Sequence, residues 1–355
     1  MPGVPNSLAS GFSDLLGEML KPETIDGEDL WIVGPRMSGF EKQWKQVSSW
    51  ILGVAFCRRV IEEMGYRWWA PVSAFNSSRR TTLTPDWLPD LPPNDCVVER
   101  TNSSILFPDY VLARTKPGAS GYDISFAESK GSTKALANLE TAPSDWKNQS
   151  ENGQFMFRGV LQEITQYLLI ATRVCPLGRR VKTRRVQVRA WNSKNPDASI
   201  SFEAFRDVLV AHYFGVCERI GLRSNARLLA LANYSPTSNQ NIPDSDKIMK
   251  RLLLIHERLR GEARNELQRT QMGGTWIYGL PRQSIFKIGD NLITIGLSEA
   301  AANLVRALQA SDQRSQDKVV RLFETELALN HELVHPNEKL FLRNDGVIGQ
   351  LMQPV

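Results

Sequence analysis

Phe40, Trp44, Val47, Ile51, Val54 and Ile61 recur at steps built from threes and fours, and Gly65 closes the run. That spacing predicts a long, mostly buried helix over 40–65. Further along, Phe157, Val160, Leu161, Ile164, Leu168 and Ala171 predict a second amphipathic helix. Between these two, 104–113 and 122–130 read as strands. The segment joining them contains Pro117, Gly118, Ser120 and Gly121, so an antiparallel hairpin is expected. Pro85, Pro89, Pro92 and Pro93 exclude a regular helix or central strand from 71–95. Pro143, Asn148, Asn152 and Gly153 mark 131–153 as a surface loop. Val186, Val188 and Ala190 alternate with Gln187, Arg189 and Trp191, which predicts a strand over 181–191, followed by a helix over 202–220.

A stretch rich in Ser, Asn and Pro interrupts the pattern at 235–244. Beyond it the sequence predicts a charged helix over 247–271, short strands near 276–280 and 292–295, a helix from Ser298 and a last helix over 316–335. No internal repeat is visible. The expected organisation is an N-terminal extension over 1–39, an α/β domain over 40–235 with a mixed β-sheet flanked by helices, and a mainly helical C-terminal region over 245–355.

Composition changes this picture little. The chain has 355 residues, enough for one large or two modest cores, and a formal net charge of +5, a mild basic excess. Asp14 and Glu18 stand where a secretory leader needs an apolar stretch, and the longest apolar run, near 50–57, is too short for a membrane span. Cys57, Cys96, Cys175 and Cys217 form no close pair and read as thiols in a reducing compartment. The expected location is the cytoplasm, with no membrane partner.

The hairpin carries the candidate chemistry. Glu128 and Lys130 are two apart on a strand, so their side chains leave the same face of the sheet. Asp109 can be brought beside them across the turn. Two hard carboxylates suit Mg²⁺, and an ammonium beside them can orient a water or offset charge on a phosphate. The dipeptide Pro108-Asp109 carries nothing by itself, since Pro-Asp recurs at 196–197 and 243–244. A rival acid-x-Lys set, Asp145 and Lys147, lies in the polar stretch behind Pro143, where no strand is expected.

The run Ile105, Leu106, Phe107, Pro108, Asp109, with Ile124, Ser125, Phe126, Ala127, Glu128, Ser129, Lys130 on the next strand, resembles the PD-(D/E)xK nuclease superfamily. The resemblance covers about 40–210. It implies a restriction-endonuclease-like core, Asp109 and Glu128 as metal ligands, Lys130 as a catalytic residue, and Mg²⁺ as cofactor with Mn²⁺ as substitute. The implied substrate is DNA, with RNA open, and a role in restriction or defence against foreign DNA follows by analogy. Some branches place a further acid on the preceding helix, where Glu62 and Glu63 stand here. Others carry Gln-x-x-x-Tyr on the following helix. Gln162, Gln166 and Tyr167 fall there, but no Gln stands four residues before Tyr167.

Arg173, Arg179, Arg180, Lys182, Arg184, Arg185 and Arg189 form a basic tract with no acid among them. Such a run suits phosphate backbones, although a charged edge strand is a competing reading. Two other function classes stay open. His331, Glu332, Leu333, Val334 and His335 match the helical HExxH pattern of zinc metallopeptidases, with Pro336 immediately after it and no evident third ligand. A catalytically silent nucleic-acid or protein-binding module on the same fold is the other. The C-terminal region is open to a homodimer or a partner protein.

Overall fold

Strands that carry apolar residues on both faces require cover on both sides, and that requirement organises the protein. A computed structural model describes residues 20–25, 28–33, 42–75, 95–116, 121–132, 141–174, 186–195, 198–232, 245–272, 275–279, 285–288, 291–310, 313–333 and 340–352. In chain order, β1 (Leu20–Ile25) and β2 (Glu28–Val33) form an antiparallel pair. Then come α1 (Lys42–Glu63), β3 (Trp68–Pro71), β4 (Cys96–Glu99), β5 (Tyr110–Thr115), β6 (Tyr122–Ser132) and α2 (Ser144–Ser150). They are followed by β7 (Gln154–Phe157), β8 (Val160–Gln162), β9 (Gln166–Val174), β10 (Val186–Lys194), α3 (Phe202–Arg219) and α4 (Arg223–Ala232). The C-terminal part comprises α5 (Ser245–Glu266), β11 (Arg269–Met272), β12 (Thr275–Tyr278), β13 (Ile285–Ile288), β14 (Asn291–Leu297), α6 (Glu299–Leu308), α7 (Gln313–Leu333), β15 (Leu340–Leu342) and β16 (Val347–Met352). Among the described residues no helix is long and apolar enough to cross a membrane.

The central sheet has the order β10-β9-β6-β5-β3, with β6 and β9 parallel and the other neighbours antiparallel, so it is a mixed sheet. Tyr110, Leu112, Ala127, Leu168 and Ile170 point to one face, where Cys57 and Ile61 of α1 cover them. Trp68, Val111, Ile124 and Phe126 point to the other, where Phe205, Val208 and Leu209 of α3 are buried. Gly65 at φ +86° ends α1: its N–H reaches Glu62 O at 3.0 Å, and Tyr66 N–H reaches Ile61 O at 3.1 Å, the paired bonds of a Schellman stop. Gly53 lets α1 lie directly on β6, since a Cβ there would stand 3.0 Å from Gly131 N. Ser201 caps α3, its hydroxyl accepting from Ala204 N at 3.2 Å.

Several expectations are corrected. The segment 157–171 is no helix; it forms the β7–β8 hairpin and most of β9. β9 is buried on both faces, and a strand of that kind is a continuous apolar run that also satisfies three- and four-residue spacing. Arg158 and Gly159, at φ 50° and 77°, make the tight turn that breaks the helical reading. The loop expected over 131–153 contains α2. The first hairpin strand begins at Tyr110, leaving 104–109 irregular.

The C-terminal region holds more helix than strand among its described residues, and more strands than the two expected. Its strands form an antiparallel sheet in the order β11-β12-β14-β16-β15, with β13 also on β14. Leu297, Leu304, Val320, Phe323 and Val347 from this region share one buried cluster with Trp68 and Phe205 of the central domain. Trp68 and Phe323 rings lie 5.7 Å apart within it.

Candidate active site

Asp109 stands at the mouth of β5, and the loop before it is fixed by one buried side chain. Asn152 Nδ2 donates to the carbonyls of Asn102, Ile105 and Leu106 at 3.0, 2.9 and 3.2 Å, and its Oδ1 accepts from Asn102 N at 2.7 Å. The Asp109 carbonyl accepts from Val72 N at 3.0 Å. β5 and β6 pair with Tyr110 opposite Ala127, and one further step of that register sets Asp109 across from Glu128. Asp109 Oδ2 accepts from Ser129 N at 2.9 Å, which ties the carboxylate to β6. Asp109, Glu128 and Lys130 therefore share the sheet face that carries Val111, Ile124 and Phe126.

Glu128 is 1 % exposed. Its Oε1 lies 2.6 Å from Lys130 Nζ, while Oε2 is buried without a hydrogen-bond partner among the described residues. Burial, and then the neighbouring Asp109 charge, push its carboxyl up to about 8 against the pull of Lys130. Burial also raises the Asp109 carboxyl, opposed by the Ser129 N–H and Lys130. Lys130 Nζ donates to Gln149 Oε1 at 2.6 Å, and Gln149 Nε2 donates to Phe107 O at 3.0 Å. Gln149 on α2 thus joins Lys130 to the loop before Asp109. The sequence does not single it out, because 131–153 reads as loop. Pro143 ahead of Asp145 in the first turn is the start signal that marks this helix.

The donor set fits a hard divalent cation. Two carboxylates on one face, one of them with a buried oxygen lacking any partner, supply the oxygen ligands that Mg²⁺ prefers. A buried acceptor left unsatisfied is costly in itself, so the pair is poised to take a cation or a proton.

The other expected site residues are placed elsewhere. Glu62 Oε1 accepts from Arg343 Nη2 at 2.7 Å, and Glu63 pairs with Arg59 at 3.0 Å in solvent. Neither joins Asp109 and Glu128, because α1 covers the opposite face of the sheet, where Cys57 lies against Ser129. That thiol bonds Ser129, and burial followed by the Asp109 charge raises it to about 12. Gln162 lies on β8, its Nε2 donating to Val160 O at 3.1 Å. Gln166 opposite Ser125 belongs to the α1 face, where Tyr66 OH donates to its Oε1 at 3.2 Å. Neither glutamine reaches the site.

Asp145 and Lys147 sit on α2, with Lys147 3.9 Å from Glu151 in an exposed pair. Arg189 lies on β10; Arg179, Arg180, Lys182, Arg184 and Arg185 fall outside the described residues. His331 and Glu332 lie in α7, and His335 is outside the described residues. His212 is engaged in the core, its Nδ1 2.9 Å from Trp69 O and its Nε2 3.3 Å from Asp345 Oδ2. Among the described residues no group of three or more His, Cys, Asp or Glu side chains is assembled for a metal. No protein family, curated protein or solved structure matches the chain.

Proposed function

We propose that the chain is a Mg²⁺-dependent nuclease of the PD-(D/E)xK type, with a restriction-endonuclease-like core and its active centre at Asp109, Glu128 and Lys130. The observation that carries this reading is the buried, partnerless Glu128 Oε2 beside Asp109, with Lys130 on the same sheet face. The placement of Asp109 just before one strand, of Glu-x-Lys on its neighbour and of a long helix ahead of both supports it.

Asp109 and Glu128 would hold the cation, and Mn²⁺ would serve in place of Mg²⁺. Bound there, the metal supplies a Lewis acid for the scissile phosphate and lowers the pKa of a water. Glu128 must lose its proton for this, since its carboxyl titrates near 8. Lys130 has three N–H donors. Glu128 and Gln149 engage two of them, leaving the third for the phosphate or the attacking water. Its side chain is 22 % exposed where that of Glu128 is 2 %, so the ammonium stands at the mouth of the site and the carboxylate at its floor. The test is incubation of plasmid, linear duplex, single-stranded DNA and RNA with Mg²⁺, Mn²⁺ or EDTA. Cleavage that requires the metal supports the reading, and intact substrates under all conditions contradict it.

A further inference from the structure

The register of the central sheet carries the Glu128 face outward to its edge. Across β6 and β9, Glu128 stands opposite Leu169 and Lys130 opposite Ala171. Across β9 and β10, Leu169 stands opposite Trp191, Ala171 opposite Arg189 and Arg173 opposite Gln187. Residues set side by side on neighbouring strands project to the same face. Side-chain contacts agree with this: Phe126 and its partner Tyr167 stack at 6.0 Å, and Arg173 Nη1 donates to Gln187 Oε1 at 3.4 Å. Trp191 is thus in one row with Glu128, two strands away, and Arg189 is in one row with Lys130. At about 4.8 Å per strand, each pair is roughly 10 Å apart. The Arg189 guanidinium lies 5.8 Å from the Trp191 ring. Among the described residues β10 is the edge of this sheet, and both side chains are half-buried.

We infer that the nucleic-acid strand cut at this centre is unpaired, with a base a nucleotide or two from the cleaved phosphate stacked on Trp191. Arg189 and Arg173 hold the intervening backbone. The inference rests on the nuclease reading above. Guanidiniums alone would accept the phosphates of any duplex. An indole beside them adds a flat apolar face, and only an unpaired base can lay its own face on it, because duplex bases are stacked on one another. Stacking platforms interleaved with cations are the general means of holding single strands without reading sequence.

The experiment is fluorescence anisotropy with a labelled single-stranded 20-mer and the duplex of the same sequence, with Ca²⁺ supplying a hard cation. The single strand should bind at least ten-fold tighter than the duplex. Trp191→Ala should weaken single-strand binding by about 5- to 100-fold and leave duplex binding unchanged. Trp191→Phe, which keeps an aromatic face on the edge strand, should restore most of the loss. Equal affinity for the two forms, or a Trp191→Ala protein with unaltered single-strand affinity, overturns the inference. Cleavage in Mg²⁺ is read separately: duplex cutting indifferent to Trp191 overturns this inference alone, whereas no cutting of any substrate overturns the nuclease reading.

Discussion

Glu128 Oε1 and Lys130 Nζ lie 2.6 Å apart on one strand, yet the carboxylate keeps a second oxygen buried without a partner. The raised carboxyl follows from the same geometry, because burial and the Asp109 charge together outweigh the lysine.

A pH dependence of stability follows. The Glu128 carboxyl titrates near 8 in the folded protein and near the ordinary 4.5 when unfolded, so its favourable contribution is complete below 4.5 and is lost as pH rises through 8. Glu128→Gln does not titrate in this window. In EDTA, urea unfolding at pH 5 and pH 8 should show wild type losing stability relative to the variant, at up to about 1.4 kcal/mol per pH unit. Parallel pH curves for the two proteins would contradict the assigned environment.

Metal binding should run the other way. Loading the site requires the Glu128 carboxylate, so Mg²⁺ affinity should rise with pH up to about 8 and binding should release protons. Calorimetry in two buffers of different ionisation enthalpy reads the release directly. A buffer-independent enthalpy at pH 7 would show that the carboxyl is already ionised.

On the proposed reading Gln149 positions Lys130, to which it is bonded, and acts through it. Gln149→Ala should lower kcat while leaving Mg²⁺ affinity close to wild type. Lys130→Ala should lower turnover by about 10²- to 10³-fold, as loss of one preorganised donor does elsewhere. A Gln149→Ala protein whose kcat is unchanged would remove the positioning role.

Much of this site is legible in the sequence. The two-residue step from Glu128 to Lys130 sets them on one face of any strand, and the glycine-rich turn makes Asp109 their neighbour. The helices with caps or stops, α1 and α3, fall where the sequence predicts them. What is not legible depends on tertiary cover. β9 reads as a helix because burial on both faces erases its alternation. Glu62 stands as a candidate further acid in the sequence, although Arg343, 281 positions later, pairs with it. The C-terminal strands are brief and polar in places, so Arg269–Met272 and Leu340–Leu342 carry no run long enough to mark a sheet.

The loop before Asp109 depends on one residue. Asn152→Ala would remove all four of its hydrogen bonds and leave the carbonyls of Asn102, Ile105 and Leu106 without that donor. The expected loss is about 2–4 kcal/mol in global unfolding, or equivalent local loosening of 102–108 in amide exchange. Wild-type stability together with wild-type protection over that segment would show that the clamp is not needed.

Cleavage of end-labelled DNA by wild type and folded Glu128→Gln, each with Mg²⁺ and with EDTA, tests the central claim most directly. The wild-type protein should cut only with Mg²⁺. The variant keeps the shape of the side chain but loses the charged ligand, and should fall by at least about 100-fold, beyond the loss typical of a residue that merely supports a ligand. A Glu128→Gln protein that cuts at the wild-type rate, or a wild-type protein that cuts equally in EDTA, would contradict the assignment of this site.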